Sequence, residues 1–185
     1  MIRIIAGKYR GRKLKVPQGM DIRPSSDQVR EGLFNMLSTL VDFKSVVFLD
    51  LYAGTGALGI EALSRGAKKV IFIEASRKNM LFLKQNINSI SPEQNLFELT
   101  KDSSVQWLSG FTDPGHPSVV FLDPPFSGNE YETILNKINV LPSIREGSLI
   151  VVESNQTRKI SFPENLMVLK HRRYGSVKLH ILRKQ

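Results

Sequence analysis

V-V-F-L-D-L-Y-A-G-T-G-A-L-G, from Val46 to Gly59, passes from a short apolar, β-branched run through Asp50 into a glycine turn. A helix-forming segment, 57–65, follows at once. The pattern predicts a buried parallel strand, a tight turn and a helix N-terminus. Glycine at 54 and 56 allows a sharp turn and the close approach of a ligand, and the helix start offers unpaired N–H groups. Gly54, Gly56 and Gly59 also satisfy G-x-G-x-x-G, which by itself assigns no ligand.

Asp50 narrows the choice. A carboxylate four residues before the first glycine is poor company for a pyrophosphate and suits an ammonium or sulfonium group. Glu74 closes the next apolar run, V-I-F-I, where its carboxylate can take both hydroxyls of a ribose. A nucleoside with a cationic tail fits both, so S-adenosylmethionine is the expected cofactor and S-adenosylhomocysteine its product. Asp50, Tyr52, Gly54, Gly56 and Glu74 are the expected contacts. Asp102 and Ser103, after the run 96–100, are placed to meet the adenine amino group. Helix capping is an equal alternative for Asp102.

Asp123-Pro124-Pro125-Phe126 is the most specific chemical motif. Two consecutive prolines fix the backbone and remove its N–H donors, leaving carbonyls and a carboxylate as acceptors. That surface suits an amino group with two N–H donors. The lone pair of a base's exocyclic amine is delocalised into the ring. Gripping its hydrogens between the Asp123 carboxylate and the Pro124 carbonyl favours a pyramidal nitrogen aimed at a methyl donor. Asp123 is also placed to take the released proton, and Phe126 offers a face on which an extruded base can stack. The bland alternative is a rigid strand-to-loop corner with Phe126 in the core.

The 185 residues suffice for one domain with a small appendage. Cysteine is absent, which excludes disulfides and thiolate metal sites, and three scattered histidines argue against a metal centre. No apolar run reaches spanning length, so no membrane association and a cytoplasmic location are expected. The net charge of +9 is segregated. Residues 1–45 hold nine Lys/Arg against four Asp/Glu, residues 46–156 nine against twelve, and residues 157–185 eight against one. Basic ends around a mildly acidic middle favour a polyanionic substrate.

Taken in order, 2–5 and 14–16 predict a small β-hairpin bearing Lys8, Arg10, Arg12, Lys13 and Lys15. With Arg23 and Arg30 these are the expected contacts for a polyanionic substrate, the hairpin gripping its phosphates beside the active site. A helix capped by Ser26 or Asp27 follows, with Val29, Leu33, Met36, Leu37 and Leu40 on one face. Thereafter strand and helix patterns alternate, and two closing strands, 166–173 and 178–183, form a hairpin. The expected fold is α/β. It is a Rossmann-like doubly wound sheet, mostly parallel with an antiparallel C-terminal edge hairpin, plus a small N-terminal hairpin-and-helix extension. The extension is expected over 1–45 and the main domain over 46–185.

The segment from Asp50 to Gly59, taken with D-P-P-F, resembles the class I S-adenosylmethionine-dependent amino-methyltransferases. R-I-I-A-G-K-Y-R-G-R-K-L at 3–14 and R-P-S-S-D-Q-V-R-E-G-L-F-N-M-L at 23–37 are similar to a narrower group, the bacterial 16S rRNA guanine-N2 methyltransferases. E-A-L-S-R-G-A at 61–67 and Y-G-S at 174–176 extend the likeness over nearly the whole chain. The resemblance implies methylation of the N2 amine of a guanine in 16S rRNA; free rRNA and an assembling 30S particle both stand open as the substrate form, and a monomer is the default expectation. It implies that Asp50, Glu74 and Asp102 serve the cofactor and Asp123 to Phe126 the base. Three alternatives compete. A DNA adenine-N6 methyltransferase shares D-P-P-[YF] but usually carries a further recognition domain. An NAD-dependent oxidoreductase shares the glycine pattern but does not explain Asp50. A non-catalytic rRNA-binding protein does not explain intact Asp50, Glu74 and Asp123.

Overall fold

The computed structural model of this chain describes residues 2–17, 26–124 and 129–185. Two short strands, β1 (Ile2–Arg3) and β2 (Lys13–Leu14), pair antiparallel as a separate ribbon, and α1 (Ser26–Leu37) comes next. Then follow β3 (Val47–Asp50), α2 (Ala57–Ser64), β4 (Lys69–Ile73), α3 (Arg77–Ile90) and β5 (Phe97–Thr100). The chain continues through α4 (Ser104–Gly110), β6 (Ser118–Leu122), α5 (Glu130–Val140) and β7 (Leu149–Asn155). It closes with β8 (Leu166–Tyr174) and β9 (Val177–Lys184). The main sheet has seven strands in the order β5-β4-β3-β6-β7-β9-β8. The first five in that order pair in parallel, and β9 runs antiparallel to both β7 and β8.

The continuous apolar runs of β3, β4, β6 and β7 are the consequence of burial on both faces. Successive side chains alternate between two cores. Phe48, Val70, Phe72, Val119, Phe121 and Val151 pack on one side with α1, α2 and α3. Leu49, Ile71, Ile73, Val120, Leu122 and Val152 pack on the other with α4 and α5. Phe48, Phe121, Phe34 and Phe43 meet at ring distances of 5.4 to 5.9 Å, which locks α1 to the middle of the sheet. Ile2, Ile4, Tyr9 and Leu14 join the same core, so the two expected segments share one interior on this face.

Element boundaries move from the expected ones at five places. The N-terminal strands shrink to two residues each: beyond them the chain closes in turns, with the Gly11 N–H on the Ile4 carbonyl and the Arg12 N–H on the Tyr9 carbonyl, and the same segment bonds to Glu61 and Ser64 of α2. Helix α1 stops at Leu37, leaving Leu40 in the turn beyond, while Phe34 is fully buried. Strands β7 and β9 each run longer than their apolar pattern, since antiparallel pairing continues from Leu149↔Arg183 to Asn155↔Val177.

Glu61 holds the N-terminal hairpin in place. It is fully buried in α2 and accepts the N–H groups of Ile5 at 2.7 Å and Ala6 at 3.1 Å. Arg65, one helical turn on, pairs with it at 2.7 Å and lies over the Phe34 ring. Ser64 accepts from the Tyr9 N–H, and its backbone carbonyl accepts from the Lys8 N–H. Gly7 is required there: its φ is +84°, and a Cβ would fall 1.8 Å from the Ser64 carbonyl oxygen. Removing one partner of a buried ion pair leaves the rest without compensation. Glu61→Ala should therefore cost about 3–5 kcal/mol of stability, read from urea unfolding, and detach the hairpin. An unfolding midpoint equal to that of the native chain would refute this account of the hairpin.

Candidate active site

Asp50 ends β3, Glu74 follows β4, Asp102 stands two residues beyond β5, and Asp123 follows β6. Because β5, β4, β3 and β6 are adjacent and parallel, these carboxylates line the carboxyl edge in the order 102, 74, 50, 123. That edge is where open α/β sheets bind ligands. A cavity of about 520 Å³ opens there, lined by Tyr52, Gly54, Glu74, Asn79, Ser103, Asp123 and Glu130 among others. Its volume suits a nucleoside-sized ligand. A second cavity of about 570 Å³ lies at the opposite end of β3 and β4, beside Trp107, Phe111 and His116, away from the glycine turn.

The turn is built by its two flanking carboxylates. Gly56 is the N-cap of α2 with φ +87°, and it has no side chain with which to cap. Asp50 substitutes from the strand, accepting the Gly59 N–H at 3.0 Å, a bond that an N-cap side chain ordinarily makes. Gly59 itself packs tightly, since a Cβ would lie 2.2 Å from the Phe72 ring. Glu74 accepts the Gly54 N–H and the Ser76 N–H, both at 2.7 Å. Ser76 then caps α3, its hydroxyl accepting the Asn79 N–H at 3.3 Å. Asn86, buried in α3, donates to the Thr55 carbonyl at 2.9 Å and to the Lys15 carbonyl at 3.0 Å.

The expected residues divide by position. Tyr52, Gly54, Glu74, Ser103 and Asp123 border the cavity. Asp50 is 2% exposed and sits behind the turn, so its visible contact is with the backbone. Ser103 caps α4 by accepting the Gln106 N–H at 3.3 Å, while Asp102 accepts the Ser103 N–H at 2.7 Å. The helix cap is thus the serine's. Pro124 is buried at the exit of β6; Pro125, Phe126 and Arg23 lie outside the described residues. Four polar residues of the cavity lining carry no sequence pattern of a ligand contact: Ser76, Asn79, Ser104 and Glu130. Ser76 alone is legible in another role, as a serine ahead of a helical pattern and hence a helix cap.

Tyr52 and Glu130 face each other across the cavity wall. Burial, with the hydrogen bond and charge of Glu130, raises the Tyr52 phenol well above its usual range, whereas Ser104 opposes the shift. The second carboxylate oxygen of Glu130 is buried without a partner among the described residues.

The expected RNA contacts are scattered. Arg30 is a correction: it is 4% exposed, and its guanidinium donates to the Arg3 carbonyl at 2.6 Å and to Asp27 at 2.9 Å. It is committed to holding β1 on α1. Lys8, Arg10 and Arg12 occupy the hairpin turn, near the ends of α2 and α3 that point away from the cavity. Arg12 donates to the Ser89 carbonyl, and it shares the Tyr9 ring with Lys8. Lys13 pairs in β2, and the Lys15 backbone runs along α3 against Asn86.

This sheet order, the carboxyl-edge cavity and the Asp-Pro exit from β6 define a class I methyltransferase-type fold. The chain matches the family described as Conserved hypothetical protein 95 over residues 2–183. It belongs to that family. It is 38% identical over 176 residues to the ribosomal RNA small subunit methyltransferase D of Haemophilus influenzae, covering 95% of this chain and 90% of that protein. It is 32% identical to a putative rRNA methyltransferase of Bacillus subtilis, with both chains covered in full. A solved putative methyltransferase from Escherichia coli superposes with a TM-score of 0.83 at 32% identity, covering 100% of this chain and 98% of that one.

Burial, opposed by the single bond from Gly59 and aided by the charge of Glu74, pushes the Asp50 carboxyl up to about 7. In the unfolded chain it titrates near 3.8. Between those values the folded protein keeps a proton that the unfolded chain has released. Stability from this group is therefore present at low pH and is lost as pH rises to about 7. Asp50→Asn should gain stability relative to the native chain from pH 4 to about 7, with a constant difference above. Urea unfolding across that range measures it; a pH-independent difference would contradict the assignment.

Proposed function

We propose that this protein is an S-adenosylmethionine-dependent methyltransferase acting on the exocyclic N2 amine of a guanine in 16S rRNA. The observation that carries the reading is the cavity with Glu74 on one side and Asp123 on the other, after the two strands that flank β3 in one parallel sheet. Family membership supports the reaction class, and the names of the 38% identical relatives support the rRNA substrate. The guanine N2 position rests on the motif resemblance.

The residues fit the cofactor. Glu74 borders the cavity and offers acceptor oxygens for ribose hydroxyls; the Gly54 turn admits the ligand's backbone side; Ser103 stands where an adenine edge would end. When bound, the cofactor supplies an electrophilic methyl group on a sulfonium centre. The chain's own work is positional. Asp123 and the Pro124 carbonyl accept the two hydrogens of the target amine, which turns its lone pair toward the methyl group. Asp123 then takes the proton that the alkylated nitrogen releases. Tyr52 and Glu130 close the wall opposite, and Phe126 is assigned to stacking on the extruded base. Lys8, Arg10, Arg12, Lys13 and Lys15 are assigned to rRNA phosphates.

Calorimetry with S-adenosylmethionine tests the cofactor assignment. Glu74→Ala should weaken binding by about 1.5–3 kcal/mol, the worth of hydrogen bonds to a charged group. Unchanged affinity would reject Glu74 as the ribose acceptor. Methyl transfer onto rRNA from cells lacking the protein tests the chemistry. Asp123→Ala should abolish nearly all transfer and leave cofactor affinity within about fivefold, because its partner is the amine. Turnover near that of the native enzyme would overturn its role.

A further inference from the structure

The antiparallel return of β9 brings the β8–β9 turn back to the edge of the sheet that carries Asp123. Leu122, the residue before Asp123, pairs with Val152, and the row continues through His180 to His171. The next row outward is Glu153, Leu179 and Arg172; the one beyond is Ser154, Lys178 and Arg173. Strands lie about 4.8 Å apart, which puts Lys178 roughly 10 Å and Arg173 roughly 15 Å to one side of β6. Arg172 and Arg173 are exposed, as are Gly175 and Ser176 in the turn. Thr157 to Lys159, directly after β7, adds Arg158 and exposed Lys159 to the same edge.

The surface is preformed. The Gln156 N–H donates to the Ser176 carbonyl at 2.7 Å, and Lys178 donates to the Arg158 carbonyl at 3.0 Å. Tyr174 reaches across to α1 at Gly32, where a Cβ would lie 2.1 Å from its hydroxyl. The glycine leaves room for the phenol that seats the turn. Local acids are few: Glu132 pairs with Arg158 at 3.4 Å, and Glu153 lies in the Arg172 row. Not every C-terminal cation contributes. Lys184 is turned inward onto the Ile138 and Leu141 carbonyls at the end of α5. His180, stacked on His171, is held neutral, mainly by burial, at about 4.

We propose that the β8–β9 turn is the docking surface for the rRNA backbone flanking the target base, with Arg172, Arg173 and Lys178 as its phosphate contacts. The inference rests on the functional reading above and deepens it. The N-terminal hairpin bears comparable charge, but its turn packs at the far end of α2, whose eight residues span about 12 Å. Extruding a base costs a few kcal/mol, and phosphate contacts offset that cost best when they grip the adjoining backbone. The β8–β9 turn is in that position.

The test compares the native enzyme, an Arg172→Ala/Arg173→Ala/Lys178→Ala variant and an Arg172→Lys/Arg173→Lys variant, all full length. Deproteinised 16S rRNA from cells lacking the protein is the probe. In the alanine variant, rRNA affinity near 0.1 M salt should fall by roughly one to two orders of magnitude. The slope of log affinity against log salt should flatten by about 2, at about 0.7 per single-strand phosphate contact. KM for rRNA should rise while kcat at saturating rRNA and S-adenosylmethionine affinity stay within a few-fold. The lysine variant should keep the native slope, which a merely structural role for the arginines would not require. An alanine variant with native affinity and slope overturns the docking assignment while leaving the methyltransferase reading intact. A variant that keeps native rRNA binding but loses methylation of 30S particles alone points to an acidic protein partner and also overturns it. A native enzyme that binds S-adenosylmethionine but moves no methyl group onto rRNA overturns the substrate reading, and this inference with it.

Discussion

The Gly59 N–H reaching back to the Asp50 carboxylate is the bond on which the rest of the site depends. A helix start needs its first N–H groups satisfied, and Gly56, which must adopt φ +87° to make the turn, brings no side chain for the purpose. The strand supplies the cap instead. This fixes α2 to the end of β3, and Gly59 allows the approach because Phe72 occupies the space a Cβ would need. A carboxylate so placed is nearly out of solvent, hence its preference for keeping a proton up to about pH 7.

Glu74 makes the complementary connection. One oxygen holds the Gly54 N–H and the other the Ser76 N–H, so a single side chain joins the glycine turn to the cap of α3. The same carboxylate borders the cavity. Preorganisation follows directly: the groups that would meet a ligand are already held by backbone bonds on two rigid elements. Asn86 extends the brace to the N-terminal segment through Thr55 and Lys15. Glu61 fastens that segment farther along α2. The hairpin is thus a strut against two helices as much as a charged arm.

Charge on the molecule is arranged by topology, not by sequence position. The two basic ends of the chain look equivalent in composition, with nine and eight Lys/Arg. Strand direction separates them. The N-terminal turn lies along α2 and α3, which run away from the carboxyl edge, while the C-terminal turn closes an antiparallel pair that returns to it.

The sequence by itself determined the alternation of strands and helices, the glycine turn and the four strand-end carboxylates. These follow from local rules: apolar runs must be buried, glycine alone tolerates the turn, and a residue after a parallel strand emerges at the ligand edge. It also placed Asp123 and Pro124 correctly at the exit of β6. Only the tertiary structure decided what each charge touches. Arg30 reads as a surface cation in a helix pattern, yet packing of β1 on α1 buries it. Glu61, Asn86 and Glu130 read as ordinary polar helix residues. Their roles arise from segments 56 to 78 residues distant: Ile5, Lys15 and Tyr52. Such partners are set by which helix faces meet, and no local pattern encodes that meeting.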